Sequence, residues 1–210
     1  MALDKFENSV AEVLRTAVQA EKLSDHQLIE AVKNGDEDAY GEIISRYRSQ
    51  ITNYLYRFLN DYEEAVDLAQ ETFVRVYFAI ERYHTDYAFS TYIYRIATNL
   101  AISEIRRRKR RRLVSLTGLF HFDNAESQDF EPPDEKTLPL ENLIESEQSQ
   151  TIARAIATLP EKYRAPIILR DVEGKSYEDV AAILKLGLGT TKSRISRARK
   201  LLRDKLQNHF

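Results

Sequence analysis

The chain of 210 residues is long enough for one or two domains with cores of their own. Its 6 glycines and 5 prolines are few, which favours helices over many-stranded β structure. It has no cysteine, which excludes disulfides, thiolate zinc sites and cysteine nucleophiles and fits a reducing cytoplasm. No stretch approaches the roughly 20 apolar residues of a membrane span. We therefore predict an all-α, cytoplasmic protein that is not inserted in a membrane.

Charge is segregated along the chain, although the formal net charge is only -2. Seven consecutive cations run from Arg106 to Arg112. The stretch from Phe122 to Glu147 then carries nine acidic residues against one lysine, and the chain turns basic again after Lys192. Blocks of alternating sign indicate two anion-binding surfaces joined by an acidic connector.

The first compact unit is predicted over residues 23–112, after an amphipathic helical extension over residues 1–22 whose role the sequence does not indicate. Ser24 with Gln27 forms a capping box, and Asn34-Gly35 ends that helix. A second helix is predicted from about residue 36 to 58, and Asp61 with Glu64 is predicted to cap a third. A fourth follows a loop at residues 83–88 and runs from about residue 89 to 112.

An acidic linker is predicted over residues 113–147, because Pro132-Pro133 and Pro139 forbid a continuous helix there. A second helical domain follows at residues 148–210. It has helices over 152–158 and 161–172, separated by a Leu159-Pro160 break. The fold class is thus two small helical domains, an N-terminal bundle and a C-terminal helix-turn-helix domain, joined by the linker.

Residues 175–206 are typical of a helix-turn-helix that inserts its second helix into the DNA major groove. Ser176 with Asp179 caps the first helix, whose inner face is predicted to be Val180, Ala181 and Leu184. The glycines of Leu186-Gly187-Leu188-Gly189 are expected to break it, and Thr190 to cap the next. That second helix places Ile195, Ala198, Leu202 and Leu206 inward. A solvated basic helix at a chain end is the competing interpretation.

Two further groups of side chains could carry function. Asp67, Gln70 and Glu71 share one outward helical face, which fits a general acid–base pair, a metal site, a solvated surface or a docking surface for a basic partner. Tyr83, Tyr87 and Tyr92 precede the run of cations, and their spacing does not keep them on one helical face. Aromatic rings beside a basic helix suit unstacked bases of a single strand.

Five segments in order resemble the extracytoplasmic-function sigma factors, specificity subunits of bacterial RNA polymerase. They are LSDHQLIEAVKNGDEDAYGEIISRY, DYEEAVDLAQETFVRVY, STYIYRIATNLAISEIRRRKR, IATLPEKYRAPIILRDVEGKSYEDVA and GTTKSRISRARKLL. The resemblance covers about residues 23–112 and 148–207. It implies an N-terminal domain that docks on core RNA polymerase and opens the -10 element, a C-terminal domain that reads the -35 element, and a linker that threads the polymerase.

The resemblance also implies a role for each candidate residue. Those that bind core polymerase are Asp67, Gln70, Glu71 and Phe73. Those that contact or melt the -10 DNA are Tyr83, Tyr87, Tyr92 (where the family usually has tryptophan), Asn99 and Arg106. Those that read the -35 DNA are Lys192, Ser193, Arg194, Ser196, Arg197 and Arg199. Partners are therefore core RNA polymerase, promoter DNA and, as a family expectation, an anti-sigma factor.

No catalytic residue, metal site or cofactor is expected, because the sequence shows no nucleophile–base pair, metal cage or glycine-rich phosphate loop. The alternative function is a helix-turn-helix transcriptional regulator whose N-terminal domain dimerises or senses a ligand. The N-terminal half discriminates between the two, because a regulator needs neither a polymerase-docking helix nor an aromatic loop beside a basic helix.

Overall fold

The structure is a computed structural model that describes residues 23–83, 87–116 and 151–207, with side chains as far as residue 111 in the second range. The predictions for the extension (residues 1–22) and for residues 117–147 of the linker lie outside the described residues. All regular structure in the described ranges is helical. The chain divides into two compact units, residues 1–45 and 46–210.

The first unit contains α1 (Asp25–Lys33) and the start of α2 (Glu37–Leu59). Ser24 accepts a hydrogen bond from the Gln27 backbone and Gln27 returns one to Ser24, which confirms the predicted capping box. Gly35 follows α1 with a φ of 91°, a conformation that glycine adopts without steric cost. Local sequence therefore determines both ends of this helix.

The second unit begins with the rest of α2, followed by α3 (Tyr62–Ala79), a 3₁₀ turn (Ile80–Arg82) and α4 (Phe89–Leu116). Asp61 caps α3 as predicted, and α4 continues four residues beyond its predicted end at residue 112. Tyr54 and Phe58 of α2 are fully buried. The Tyr54 hydroxyl is 2.7 Å from the Thr98 hydroxyl, so the core joins α2 to α4 through a satisfied polar pair.

The C-terminal part of this unit contains α5 (residues 151–157), α6 (Glu161–Ile167), α7 (Tyr177–Leu184) and α8 (Leu188–Leu206). A π-helical turn, Ile168–Val172, follows α6 directly. The sequence predicted a regular helix to residue 172 and did not anticipate this turn. Pro166 lies just before it and cannot donate a backbone hydrogen bond, which is one established reason for a local change in helical pitch.

The helix-turn-helix formed by α7 and α8 differs from its prediction in three respects. The residue in the left-handed conformation is Lys185, with a φ of 52°, rather than a glycine. Gly187 occupies the N-cap of α8, so Gly189 and Thr190 lie inside the helix and Thr190 does not cap it. The buried residues of α7 are Val180 and Ile183, whereas Ala181 and Leu184 are only half-buried.

An ion cluster ties the middle of α4 to the start of α3. Glu104 is almost fully buried and accepts hydrogen bonds from Arg107 and Arg108, while Arg108 also contacts Asp61 at 2.9 Å. Burial alone would raise the pKa of Glu104, but the hydrogen bonds from the two arginines hold it below its usual value. The cluster therefore stabilises the charged carboxylate within the fold.

We expect Glu104→Gln to lower the free energy of unfolding by about 1–3 kcal/mol at pH 7, since charge-assisted bonds to a buried group are lost. Because the folded pKa is depressed, this stabilisation is present above the unfolded value of 4.5 and disappears as pH falls through the lower folded value. Urea denaturation at several pH values measures both effects. Glu30→Gln, which removes an exposed pair with Lys33, is the control and should cost under about 1 kcal/mol. Equal losses in the two variants would contradict this account of the cluster.

Candidate polymerase and nucleic-acid interfaces

The outer face of α3 presents three of the four residues predicted to bind polymerase. Asp67 and Gln70 are exposed, and Glu71 is half-exposed with an ion pair to Arg75 at 2.7 Å. Phe73 is only 6% exposed and points into the core, so it does not belong to this face. Phe73 follows Gln70 and Glu71 by three and two residues, a spacing that rotates it about 300° and 200° around the helix, and it lies on the buried side of α3.

Apolar side chains that the sequence interpretation missed extend the same face. Val74 and Phe78 are both exposed, and Phe78 is 80% exposed. They follow Asp67 by seven and eleven residues, which are helical spacings of one face. The helical phase of Asp67 could therefore have identified them. We call Asp67, Gln70, Glu71, Val74 and Phe78 the α3 face.

The aromatic loop is partly a packed structure. Tyr83 is 7% exposed, its ring lies edge-on to Phe89 at 5.7 Å, and its hydroxyl donates to the Tyr87 carbonyl at 2.7 Å. Tertiary contacts therefore bury Tyr83, although its spacing from Tyr87 and Tyr92 does not keep the three rings on one helical face. Tyr92 is half-buried and packs 5.2 Å from Tyr83. Tyr87 is 52% exposed, with the Arg95 guanidinium 5.4 Å from its ring centre.

Only part of the basic segment on α4 is unengaged. Asn99 is exposed on this helix, as a base-reading residue needs to be. Arg106 is exposed but pairs with Glu161 at 3.2 Å, and Arg107 and Arg108 belong to the Glu104 cluster. Lys109, Arg110 and Arg111 are exposed. Of the six cations at 106–111 whose side chains the structure describes, three thus have structural partners, which the linear run could not indicate.

Helix α8 exposes most of the residues predicted to read the -35 element: Lys192, Ser193, Ser196, Arg197 and Arg199 are exposed and Arg194 is half-exposed. The buried side is formed by Thr191, Ile195 and Ala198, with Leu202 and Leu206 half-buried. The helix therefore has the packed seam and the polar outer face that insertion into a major groove requires.

Two arginines of α8 have different surroundings. Arg199 makes a two-bond contact with Asp171, at 2.6 and 2.9 Å, which raises the pKa of Arg199 and fixes α8 to the π turn. Arg197 lies beside the half-buried Tyr163 and, by hydrogen bonding, lowers the pKa of that phenol. The bidentate pair is an internal contact, whereas Arg197 stands at the outer surface.

The described residues also bear on metal binding and membrane insertion. Within residues 23–83, 87–111 and 151–207, no group of three or more potential ligands is arranged to hold a metal ion. None of the described helices combines the length and apolar character that crossing a bilayer requires.

Two family profiles match the chain. "Sigma-70 region 2" matches residues 43–111, and "Sigma-70, region 4" matches residues 149–202. The α3 face and Asn99 fall within the first range, here called region 2, and α8 begins within the second, here called region 4.

Characterised relatives cover nearly the whole chain. The ECF RNA polymerase sigma factor SigW of Bacillus subtilis is 36% identical over 185 residues, which is 86% of this chain and 95% of SigW. RNA polymerase sigma-H factor of Pseudomonas aeruginosa is 37% identical over 188 residues, covering 87% and 94% of the two chains.

Solved structures show the same fold. CnrH, solved in complex with the cytosolic domain of CnrY, matches with a TM-score of 0.64 at 22% identity, covering 88% of this chain and 97% of that one. RpoE of Bartonella quintana, solved with the anti-sigma factor NepR, matches with a TM-score of 0.60 at 24% identity, covering 80% and 96%.

Profiles and relatives agree on one family, and its members are transcription factors. The matched region 2 accounts for the N-terminal half, which the alternative function assigned to dimerisation or sensing. The chain belongs to the extracytoplasmic-function sigma factors, alternative sigma factors that direct RNA polymerase to initiate transcription.

Proposed function

We propose that the α3 face binds core RNA polymerase, that Tyr87 and Asn99 act on the -10 element, and that α8 reads the -35 element. The observation that carries this proposal is the exposure of all three surfaces on one chain. Residues 23–112, with α4 continuing to Leu116, would form the docking and melting domain, and residues 148–210 the -35 domain. The chain then acts without catalysis or cofactor of its own, in the cytoplasm where polymerase and promoter are found.

Docking by the α3 face is supported by its mixture of charge and apolar area. Asp67 and Glu71 suit a basic partner surface, and Val74 with Phe78 offers an apolar patch beside them. Exposed aromatic side chains ringed by polar residues are frequent centres of protein interfaces. Phe73 supports this face from behind, by packing α3 on the core, rather than by contact with polymerase.

Melting at the -10 element is assigned to the exposed ring of Tyr87. The hydrogen bond from the buried Tyr83 to its carbonyl fixes the backbone there, so Tyr83 has a positioning role. Tyr92 packs against Tyr83 and supports the same loop. Asn99 supplies an exposed amide on α4, and Arg106 is the nearest of the seven cations to it along the chain.

We expect Tyr87→Ala to reduce open-complex formation about 5- to 150-fold, the equivalent of one lost base stack of about 1–3 kcal/mol. Core polymerase binding should stay the same, because the α3 face is untouched. Permanganate reactivity of unpaired thymines measures melting, and a titration with core enzyme measures binding. Tyr56→Ala, which removes another partly exposed tyrosine, is the matched control. If promoters melt to the same extent with Tyr87→Ala, with Tyr56→Ala and with the unmodified chain, Tyr87 has no role in melting.

An anti-sigma factor is proposed as a further partner. The support is the related fold of RpoE of Bartonella quintana, which was solved with the anti-sigma factor NepR. The partner of this chain would cover region 2, region 4 or both.

Run-off transcription tests the proposed function as a whole. Core RNA polymerase is given a pool of linear templates with randomised -35 and -10 segments, with and without this chain, and the transcripts are sequenced. Initiation from a defined subset of templates only when the chain is present supports the proposal. Transcription that does not depend on the chain would reject it.

A further inference from the structure

One exposed face of α4 carries more polar side chains than Asn99 alone. Ser103, Arg106 and Arg110 follow Asn99 by four, seven and eleven residues, and all four side chains are exposed. At about 100° per residue, these spacings keep the four residues within about 60° of one another around the helix. We call Asn99, Ser103, Arg106 and Arg110 the α4 stripe.

The neighbours of Arg110 in the basic run lie off the stripe. Two other members of the run hold the buried carboxylate of Glu104. Lys109 and Arg111 are exposed, but they lie about 80° and 120° from Asn99 around the helix, on opposite sides of it. Arg110 therefore continues the stripe, whereas the two cations beside it in the sequence do not.

Arg110 is also the stripe cation that has no internal ion pair to give up. Arg106 pairs with Glu161 at 3.2 Å, so a phosphate would have to displace that carboxylate. Arg110 takes no part in this pair or in the Glu104 cluster. A phosphate contact at Arg110 therefore leaves the internal ion pairs of α4 intact.

The two ends of the stripe suit different forms of nucleic acid. Tyr92 lies seven residues before Asn99, on the same side of α4, and packs against Tyr83 in the aromatic loop. Aromatic rings suit the unstacked bases of a single strand. At the other end, the guanidinium groups of Arg106 and Arg110 suit backbone phosphates. The N-terminal end of the stripe thus fits melted DNA, and the C-terminal end fits a duplex.

The connectivity of the chain indicates the same direction along the promoter. Helix α4 leads into the linker and then to region 4, in which α8 is proposed to read the -35 element. Because the -35 element lies upstream of the -10 element, the C-terminal end of α4 faces upstream. Chemistry and connectivity therefore both place Arg110 beside base pairs that stay closed.

We propose that Ser103 and Arg110 extend the DNA-binding surface of region 2, and that Arg110 contacts a phosphate of the closed duplex just upstream of the -10 element. This inference rests on the proposed function, because it takes Asn99 to act on that element. Arg110 lies about 16 Å beyond Asn99 along the helix axis, which is the length of about five base pairs. Ser103 lies between them, and its small side chain leaves room for the DNA backbone beside α4.

The test uses holoenzyme made from the full chain, and fork DNA in which the -10 strand is single and the upstream part is duplex. Two forks carry about 2 and about 8 closed base pairs, both too short to include a -35 element. The unmodified holoenzyme should bind the longer fork more tightly, because only that fork reaches Arg110. Arg110→Ala should lose this gain and should reduce the slope of log affinity against log salt by about one on the longer fork alone.

The basic run supplies its own matched controls. Lys109→Ala and Arg111→Ala each remove one exposed cation that lies off the stripe, and both should bind the longer fork as the unmodified chain does. Arg110→Lys keeps the charge and should keep the salt slope. Circular dichroism checks that helix content is the same in all variants. If Arg110→Ala loses no more affinity for the longer fork than Lys109→Ala and Arg111→Ala lose, the proposal is overturned.

Two variants of Ser103 test the middle of the stripe. Ser103→Asp places a negative charge beside the DNA backbone and should weaken binding of the longer fork. Ser103→Ala keeps the small size and should cause a smaller loss. Equal affinity of Ser103→Asp and the unmodified chain for the longer fork would remove Ser103 from the surface.

A fork with a scrambled -10 strand separates this proposal from the proposed function. If the unmodified holoenzyme binds it as well as the -10 fork, and Asn99→Ala changes nothing, the proposed function fails and the placement of Arg110 fails with it. If the -10 preference is present but Arg110→Ala weakens both fork lengths equally, Arg110 contacts polymerase instead of DNA. A -10 preference, together with a loss in Arg110→Ala that depends on duplex length, supports the proposal.

Discussion

Reversal of two charges on the α3 face, Asp67→Arg with Glu71→Arg, is expected to abolish binding to core RNA polymerase. Like charges opposed across an interface cost several kcal/mol, which corresponds to a loss of at least about a hundredfold in affinity. The fold should survive, because Asp67 is exposed and the Glu71–Arg75 pair is a surface ion pair worth under about 1 kcal/mol. Titration of fluorescent core enzyme measures the affinity, and circular dichroism measures helix content.

The matched control reverses two exposed acids outside the α3 face, Glu178→Arg with Asp204→Arg. It changes the net charge of the chain by the same amount, so a general electrostatic effect would weaken both double variants alike. Retained affinity in the control and loss in the α3 variant would locate docking on α3. Unchanged affinity in the α3 variant would remove Asp67 and Glu71 from the interface.

Helix ends were predictable because they depend on a few neighbouring residues. The capping hydrogen bonds of Ser24, Asp61 and Ser176 each join a side chain to a backbone group three residues away. Such bonds form in any tertiary setting that permits a helix. Thr190 is the exception, because Gly187 starts α8 and leaves Thr190 inside the helix. Which of several adjacent candidates becomes the cap depends on packing as well as local chemistry.

Burial of the aromatic residues was only partly predictable from spacing. Phe89 and Tyr94 lie on α4 and belong to the core, but Tyr83 precedes the helix and has no helical phase to indicate its direction. Its ring packs on Phe89 and Tyr92, contacts that arise only when α4 folds back beside the loop. The exposed Tyr87 is thus the one candidate ring of the three that the described loop leaves mostly open.

Long-range ion pairs were not predictable at all from the linear charge pattern. Seven consecutive cations suggested a surface for phosphate, yet Arg107 and Arg108 hold the buried Glu104. Likewise Arg199 pairs with Asp171 across 28 residues, and Glu173 meets Tyr94 across 79. Sequence identifies the charges, but only the tertiary fold determines which are neutralised inside the protein and which remain for a partner.

The second large effect is expected on recognition of the -35 element by α8. Arg197 is exposed at the outer surface of α8 and lies one turn beyond Ser193, so it is placed to reach a base edge, whereas Arg199 serves mainly to fix α8 through Asp171. An arginine that pairs in bidentate fashion with guanine discriminates against other bases by about 1–3 kcal/mol. Arg197→Ala should therefore weaken promoter binding about 5- to 150-fold and relax the preference at one base pair.

Lys192→Ala is the matched variant, because Lys192 is an exposed cation on the same helix and we propose that it contacts a phosphate. It should weaken binding to all sequences alike and reduce the slope of log affinity against log salt by about one. Competition among single-base variants of a -35 element, with holoenzyme made from the full chain, measures both responses at several salt concentrations. If Arg197→Ala ranks the -35 variants in the same order as the unmodified chain and lowers the salt slope as much as Lys192→Ala does, Arg197 contacts a phosphate instead of a base.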